Sequence, residues 1–203
     1  TREKLLLSAT TGQENHRSSV GIASKVLARS KCLVLDCDGV LWNGIVGEDG
    51  LEGIKITSKH QEFQRAVKAL REKGIILAIN SKNNQEDLIG VLDKHPDMVL
   101  RKDDFVIIKA NWQDKATNIK EIAQELNIGM TSLVFFDDNI QERELVRMAF
   151  PEIVVPEIGN DPIEWVNMLE KHFAGSQTSV TNEDRTRTEL YSQRAQRGKA
   201  RTK

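Results

Sequence analysis

The 203-residue sequence has only two cysteines, four prolines and one tyrosine, and aromatic residues make up 5% of it. Cys32 and Cys37 lie too close together for a disulfide framework and form no zinc pattern, which fits a reducing compartment and a cytoplasmic location. The shortage of proline, with 13 glycines, excludes a collagenous or low-complexity chain. Long apolar runs are also missing. Segments such as Leu133–Phe136 stop at strand length, so no transmembrane helix is expected. The first thirty residues carry Arg2, Glu3, Lys4, Glu14 and Arg17 without an apolar stretch, so no signal peptide is expected. A chain that opens on Thr1 reads as a processed product or a piece of a larger polypeptide. Neither sign of charge dominates: 29 Lys and Arg face 30 Asp and Glu. That balance gives no ground for nucleic acid or an anionic membrane as partner. The length suits one domain with appendages.

A short helix is expected near Ser19–Ala28 within an N-terminal extension over 1–30. Lys31–Asp36 (KCLVLD) is an apolar run ending on an acid and predicts a buried strand. Residues 42–57, with four glycines among β-branched residues, predict a hairpin or flap. Ser58 with Gln61 reads as a capping box for a helix to Lys73, closed by Gly74. The alternation then repeats, with strands at Ile75–Ile79, Phe105–Ile108, Ser132–Phe136 and Ile153–Val155. Helices are expected at Gln85–Lys94, Lys115–Asn127 and Gln141–Ala149, and after Asp161 and Pro162. Five strands interleaved with helices predict an α/β fold with a doubly wound, mainly parallel sheet, its catalytic domain over 31–175. Residues 176–203 hold seven Lys or Arg against three acids and read as a basic helix or tail.

Ligands of open α/β sheets bind beyond the carboxyl ends of the strands. Here those ends deliver Asp36-Cys37-Asp38, then Asn80-Ser81-Lys82-Asn83, then Asp137-Asp138-Asn139, with Lys115 opening a helix nearby. Converging carboxylates need a compensating cation, and hard oxygen donors suit Mg²⁺ together with a substrate phosphate. Asp36, Asp38, Asp137 and Asp138 are the metal candidates, with Asp38 contributing its backbone carbonyl. Ser81 and Lys115 would hold phosphate oxygens. Asp36 would attack phosphorus and Asp38 would protonate the leaving oxygen. Lys82, Asn83, Asn139 and Trp42 are further candidates for phosphate or substrate contact, although Lys82 and Lys109 also read as ordinary surface lysines. Trp112 and Trp165 read as packing residues.

Asp36-x-Asp38-x-Val40, Ser81, Lys115 and Asp137-Asp138 resemble the four motifs of the haloacid dehalogenase (HAD) superfamily. More narrowly, Lys31–Thr57, Asn80–Asn84, Asn111–Ile119 and Ser132–Glu144 resemble the FkbH-like family, with departures at Gly39, Asn43 and Asn80. The resemblance implies an Mg²⁺-dependent glyceryl transferase and phosphatase of polyketide biosynthesis. Its substrate would be 1,3-bisphosphoglycerate, its acceptor the phosphopantetheine thiol of an acyl carrier protein, and its setting a larger polyketide synthase chain. Cys37 would then carry the acyl group as a thioester, facing the crevice with a lowered thiol pKa. The alternative is a plain HAD phosphohydrolase working through an aspartyl phosphate, with Cys37 inert. The intervals from Asp36 to Ser81 and from Ser81 to Lys115 are too short for an inserted cap domain of about 50 residues. The site is therefore expected to be open, with partial cover from the flap and the rest from a carrier protein.

Overall fold

The computed structural model describes residues 30–174, together with Leu190. The expected N-terminal helix and basic tail lie outside those residues. Strands β1 (Cys32–Leu35), β2 (Ile76–Ser81), β3 (Ile107–Ala110) and β4 (Leu133–Phe136) form one parallel sheet in the order β3-β2-β1-β4. Their unbroken apolar runs follow from burial on both faces. From β1 the chain winds outward through β2 to β3, then crosses back to place β4 on the other side of β1. The switch point therefore lies between β1 and β4.

Six helices accompany the sheet among the described residues: α1 (Val46–Gly53), α2 (Ser58–Glu72), α3 (Gln85–Lys94), α4 (Lys115–Leu126), α5 (Ile140–Ala149) and α6 (Pro162–Phe173). Alternate strand residues point to opposite faces. Leu33, Leu35, Leu77, Ile79, Val134 and Phe136 join a core with α2, α3 and α6. Cys32, Val34, Ile76, Ala78, Leu133 and Phe135 join a second core with α4 and α5. In the first core, Phe63 of α2 packs on Phe136 and Trp165 at ring separations of 5.2 and 5.4 Å. Each such aromatic pair contributes about 1 kcal/mol beyond its buried area. Trp165 is thus a packing residue.

Three expectations are corrected. The fifth strand is reduced to an isolated bridge, Val134↔Val154, beside β4. The flap is not a hairpin: its base closes through an antiparallel bridge, Asn43↔Lys55, but its tip is helix α1, kinked at Gly50 with φ of 69°. The capping box of α2 sits one residue earlier, where the Thr57 hydroxyl faces the backbone N–H of His60 and the His60 ring faces that of Thr57. Gly74 ends that region with φ of 91°, as expected. No separate cap domain is inserted between β1 and β2 or between β2 and β3.

Candidate active site

At the switch point, β1 delivers Asp36 and β4 delivers Asp137 side by side. The sheet ladder continues one step further, the Asp36 N–H donating to the Phe136 carbonyl at 2.9 Å. Asp36 and Asp137 are in phase with Val34 and Phe135, so both side chains lean toward the face covered by α4. Lys115, the first residue of α4, meets them there. Its ammonium lies 2.6 Å from Asp36 Oδ2 and 2.5 Å from Asp137 Oδ2 and is 3% exposed. One buried cation thus faces two carboxylates. Their charges outweigh desolvation and push the Lys115 pKa well up. Asp137, which is fully buried, has its carboxyl pushed up to about 6, mainly by burial and then by the Asp36 charge, against the pull of Lys115.

A network of asparagines positions that lysine. Asn80, at the end of β2, donates to the Lys115 carbonyl at 2.9 Å and accepts from Asn118 of α4 at 3.0 Å. Asn118 in turn exchanges two hydrogen bonds with Asn111, in the loop after β3. The start of α4 is therefore tied to two strand ends, while Asp114 caps it through the Thr117 N–H.

Ser81 donates its hydroxyl to Asp36 Oδ1 at 2.6 Å. Asp38 accepts from the indole N–H of Trp42 at 2.7 Å, from Val46 N–H at 3.1 Å and from Asn83 at 2.9 Å. The last two bonds tie it to the start of α1 and to the β2 exit. Asp138 is exposed, and partial burial with the Asp36 charge pushes its carboxyl up. Gly39 explains how close it comes: with φ of 74°, a Cβ there would sit 2.2 Å from Asp138 Oδ2. Asn139 caps α5 through the Gln141 N–H, and its own N–H donates to Asp137 at 2.8 Å.

These groups open onto a crevice of ≈ 470 Å³ lined by Asp36, Asp38, Ser81, Lys82, Lys115, Asp138 and Asn139. Asp36, Asp137 and Asp138 each bring one carboxylate oxygen within 4.8 Å of the others. An all-carboxylate donor set with a raised Asp137 fits a hard divalent cation such as Mg²⁺.

Four of the expected roles change, and Cys37 is the first of them. It keeps the phase of Leu33 and Leu35, so it enters the core beneath α2 and α6 and is 0% exposed. Burial first, then the charges of Asp36 and Asp38, push its thiol pKa well up rather than down. Trp42 is buried as well and braces Asp38 instead of facing the crevice, as does Asn83. Trp112, read as packing, is 71% exposed and lines the crevice. Lys82 lines it too, paired with Glu142 at 2.6 Å.

Sequence reasoning missed Arg143, which is buried and donates to the carbonyls of Asp137 and Asp138 at 2.9 and 2.8 Å. Its place one helical turn after the Asn139 cap did not mark it out, because its role rests on the carbonyls it reaches. The Asn80–Asn118–Asn111 network had no marking pattern either.

Among the described residues, the parallel sheet with carboxylates and a lysine at its switch point, and no large cap, matches the α/β fold of HAD-like structures. Among solved structures, the N-terminal part of the protein BF1531 from Bacteroides fragilis, containing a phosphatase domain complexed with Mg, is similar at 40% identity and TM-score 0.69. The match covers 77% of this chain and 43% of that one, so the chain spans less than half of the BF1531 structure. The HAD superfamily (subfamily III A) hydrolase structure from Legionella pneumophila is similar at 14% identity and TM-score 0.52, covering 87% of this chain and 98% of that one. A YrbI family phosphatase structure from Pseudomonas syringae is similar at 15% identity and TM-score 0.51, covering 75% and 92%. The last two show the fold alone. No family model and no curated protein matches the chain.

Proposed function

We propose that the chain is an Mg²⁺-dependent phosphohydrolase that works through an aspartyl phosphate on Asp36. The observation that carries this reading is the setting of Asp36 at the crevice. Its carboxylate is oriented by Ser81 at 2.6 Å and Lys115 at 2.6 Å, two residues before an acid that shares the same opening. BF1531, described with a phosphatase domain and Mg, supports it.

When bound at Asp36, Asp137 and Asp138, Mg²⁺ supplies charge neutralisation for the phosphoryl oxygens. An Asp36 oxygen forms a bond to phosphorus as the bond to the leaving oxygen breaks, and Asp38 gives that oxygen its proton. Water then attacks phosphorus, returning its proton to Asp38 and releasing phosphate and free Asp36. Ser81 and Lys115 hold the phosphoryl oxygens throughout. Asn80, Arg143 and Gly39 act indirectly, by fixing Lys115 and the Asp137-Asp138 turn.

Glyceryl transfer from 1,3-bisphosphoglycerate to an acyl carrier protein of a polyketide synthase gains no support from this site. The thioester route needs a reachable, acidic Cys37 thiol, and Cys37 has neither property. Hydrolysis through Asp36 requires no rearrangement of the core. The test is turnover of acetyl phosphate and phenyl phosphate with Mg²⁺. Asp36→Asn is expected to lose more than a thousandfold in kcat while keeping the parent protein's circular dichroism spectrum. Undiminished turnover by Asp36→Asn contradicts the reading.

A further inference from the structure

Beyond the phosphate end of the crevice, the lining changes character. Trp112 sits in the loop between β3 and α4 with 71% of its surface exposed, although it lies beside a buried catalytic cluster. It is not a loose side chain. Its indole N–H donates to Asn84 Oδ1 at 3.1 Å, and the side-chain carbonyl of Asn111 accepts from the Gln113 N–H at 3.0 Å. The Asn111 backbone N–H donates to the Ser81 carbonyl at 3.2 Å, so the loop is tied to the phosphate-binding strand end. The second exposed apolar residue of the crevice is Ile45, 47% exposed, at the entry to α1. A fixed indole with a wet face, in the same crevice as an exposed aliphatic side chain, is a surface that gains by being covered.

The charges of the crevice narrow what can cover it. Among the described residues that line it, the cations are Lys82 and Lys115. Lys82 is paired with Glu142, and Lys115 is shared by Asp36 and Asp137. Glu48 adds a further carboxylate at the flap. A second anionic group on the substrate would find no unpaired cation among these residues, and would meet Glu48 and Glu142 instead.

We propose that Trp112 is the platform for the leaving group, and that the site takes phosphate monoesters of uncharged, flat or ring-bearing alcohols. This rests on the phosphohydrolase reading and deepens it. Phosphate itself is held by Ser81 and Lys115, so Trp112 contributes to KM for ring-bearing esters and little to kcat.

The test compares wild type, Trp112→Ala and Trp112→Phe on three donors with Mg²⁺. Trp112→Ala is expected to raise KM for phenyl phosphate about tenfold with kcat within twofold, while Trp112→Phe keeps most of the affinity. Acetyl phosphate, which has no ring, should show the same KM in all three proteins. 4-Carboxyphenyl phosphate should bind wild type at least threefold more weakly than phenyl phosphate. Equal phenyl phosphate KM in wild type and Trp112→Ala, or tighter binding of the carboxylated ester, overturns the proposal.

A second readout does not need turnover. Trp42 and Trp165 are buried, so iodide quenching of emission reports chiefly on Trp112. Phenylphosphonate should protect that emission and inorganic phosphate should not; no protection by phenylphosphonate refutes the platform. Protection without hydrolysis of any ester would refute the phosphohydrolase reading and leave the platform standing.

Discussion

Asp137→Asn should stabilise the metal-free protein at neutral pH, although it alters a candidate metal ligand. Asp137 is fully buried, and its carboxyl is pushed up to about 6 from an ordinary value near 3.9. A carboxyl raised in the folded state binds its proton more tightly there than in the unfolded chain. Its stabilising contribution is complete below about pH 4 and is lost as pH rises through about 6. The gap of roughly two pH units corresponds to about 3 kcal/mol lost by pH 7, at ~1.4 kcal/mol per unit. Asparagine keeps the shape and carries no charge, while Lys115 retains Asp36 at 2.6 Å. In EDTA at pH 7 the variant should therefore be more stable than wild type by up to about 3 kcal/mol, or several degrees in Tm. At pH 4.5, where Asp137 is largely protonated in the folded protein, the difference should fall below about 1 kcal/mol. Saturating Mg²⁺ should favour wild type and narrow the gap at pH 7. Urea melts at the two pH values, with and without Mg²⁺, make the comparison. A variant less stable than wild type at pH 7 in EDTA refutes the reasoning, because the site would then hold its carboxylates without excess repulsion.

Gly39→Ala should weaken Mg²⁺ binding at least tenfold and cost about 1–2 kcal/mol in stability, because positive φ and the Asp138 carboxylate both oppose a Cβ; calorimetric Mg²⁺ titration and urea melts check it. Cys37→Ala should leave Mg²⁺-dependent hydrolysis within twofold and cost about 1 kcal/mol of core packing; a large loss of kcat with an unchanged fold would return the thiol to the chemistry.

The strand ends were legible because buried parallel strands read as apolar runs that stop where chemistry begins. Asp36, Ser81 and Asp137 each follow such a run, and the switch-point rule brings the outer two together. Phase was harder to read. Cys37 was treated as leaving the strand, yet the alternation of Leu33 and Leu35 carries on for one more residue into the core. Position in a motif therefore suggested exposure where strand geometry dictated burial. The flap misled for a related reason: glycines among β-branched residues imitate a hairpin, while packing selected a kinked helix over Val46–Gly53. Trp112 and Arg143 depended on tertiary placement. An indole on a loop says nothing about its surroundings until Asn84 and Ser81 are placed beside it. The carbonyls that Arg143 satisfies belong to the turn between β4 and α5.

The central claim is that phosphorus is transferred to Asp36, and acid-quenched samples taken early in turnover of acetyl phosphate with Mg²⁺ test it most directly. Peptide mapping by mass spectrometry should find phosphate on the peptide carrying Asp36, lost on treatment with hydroxylamine and absent from Asp36→Asn. Phosphate release with no such adduct, or an acetyl group found on Cys37, would contradict the account.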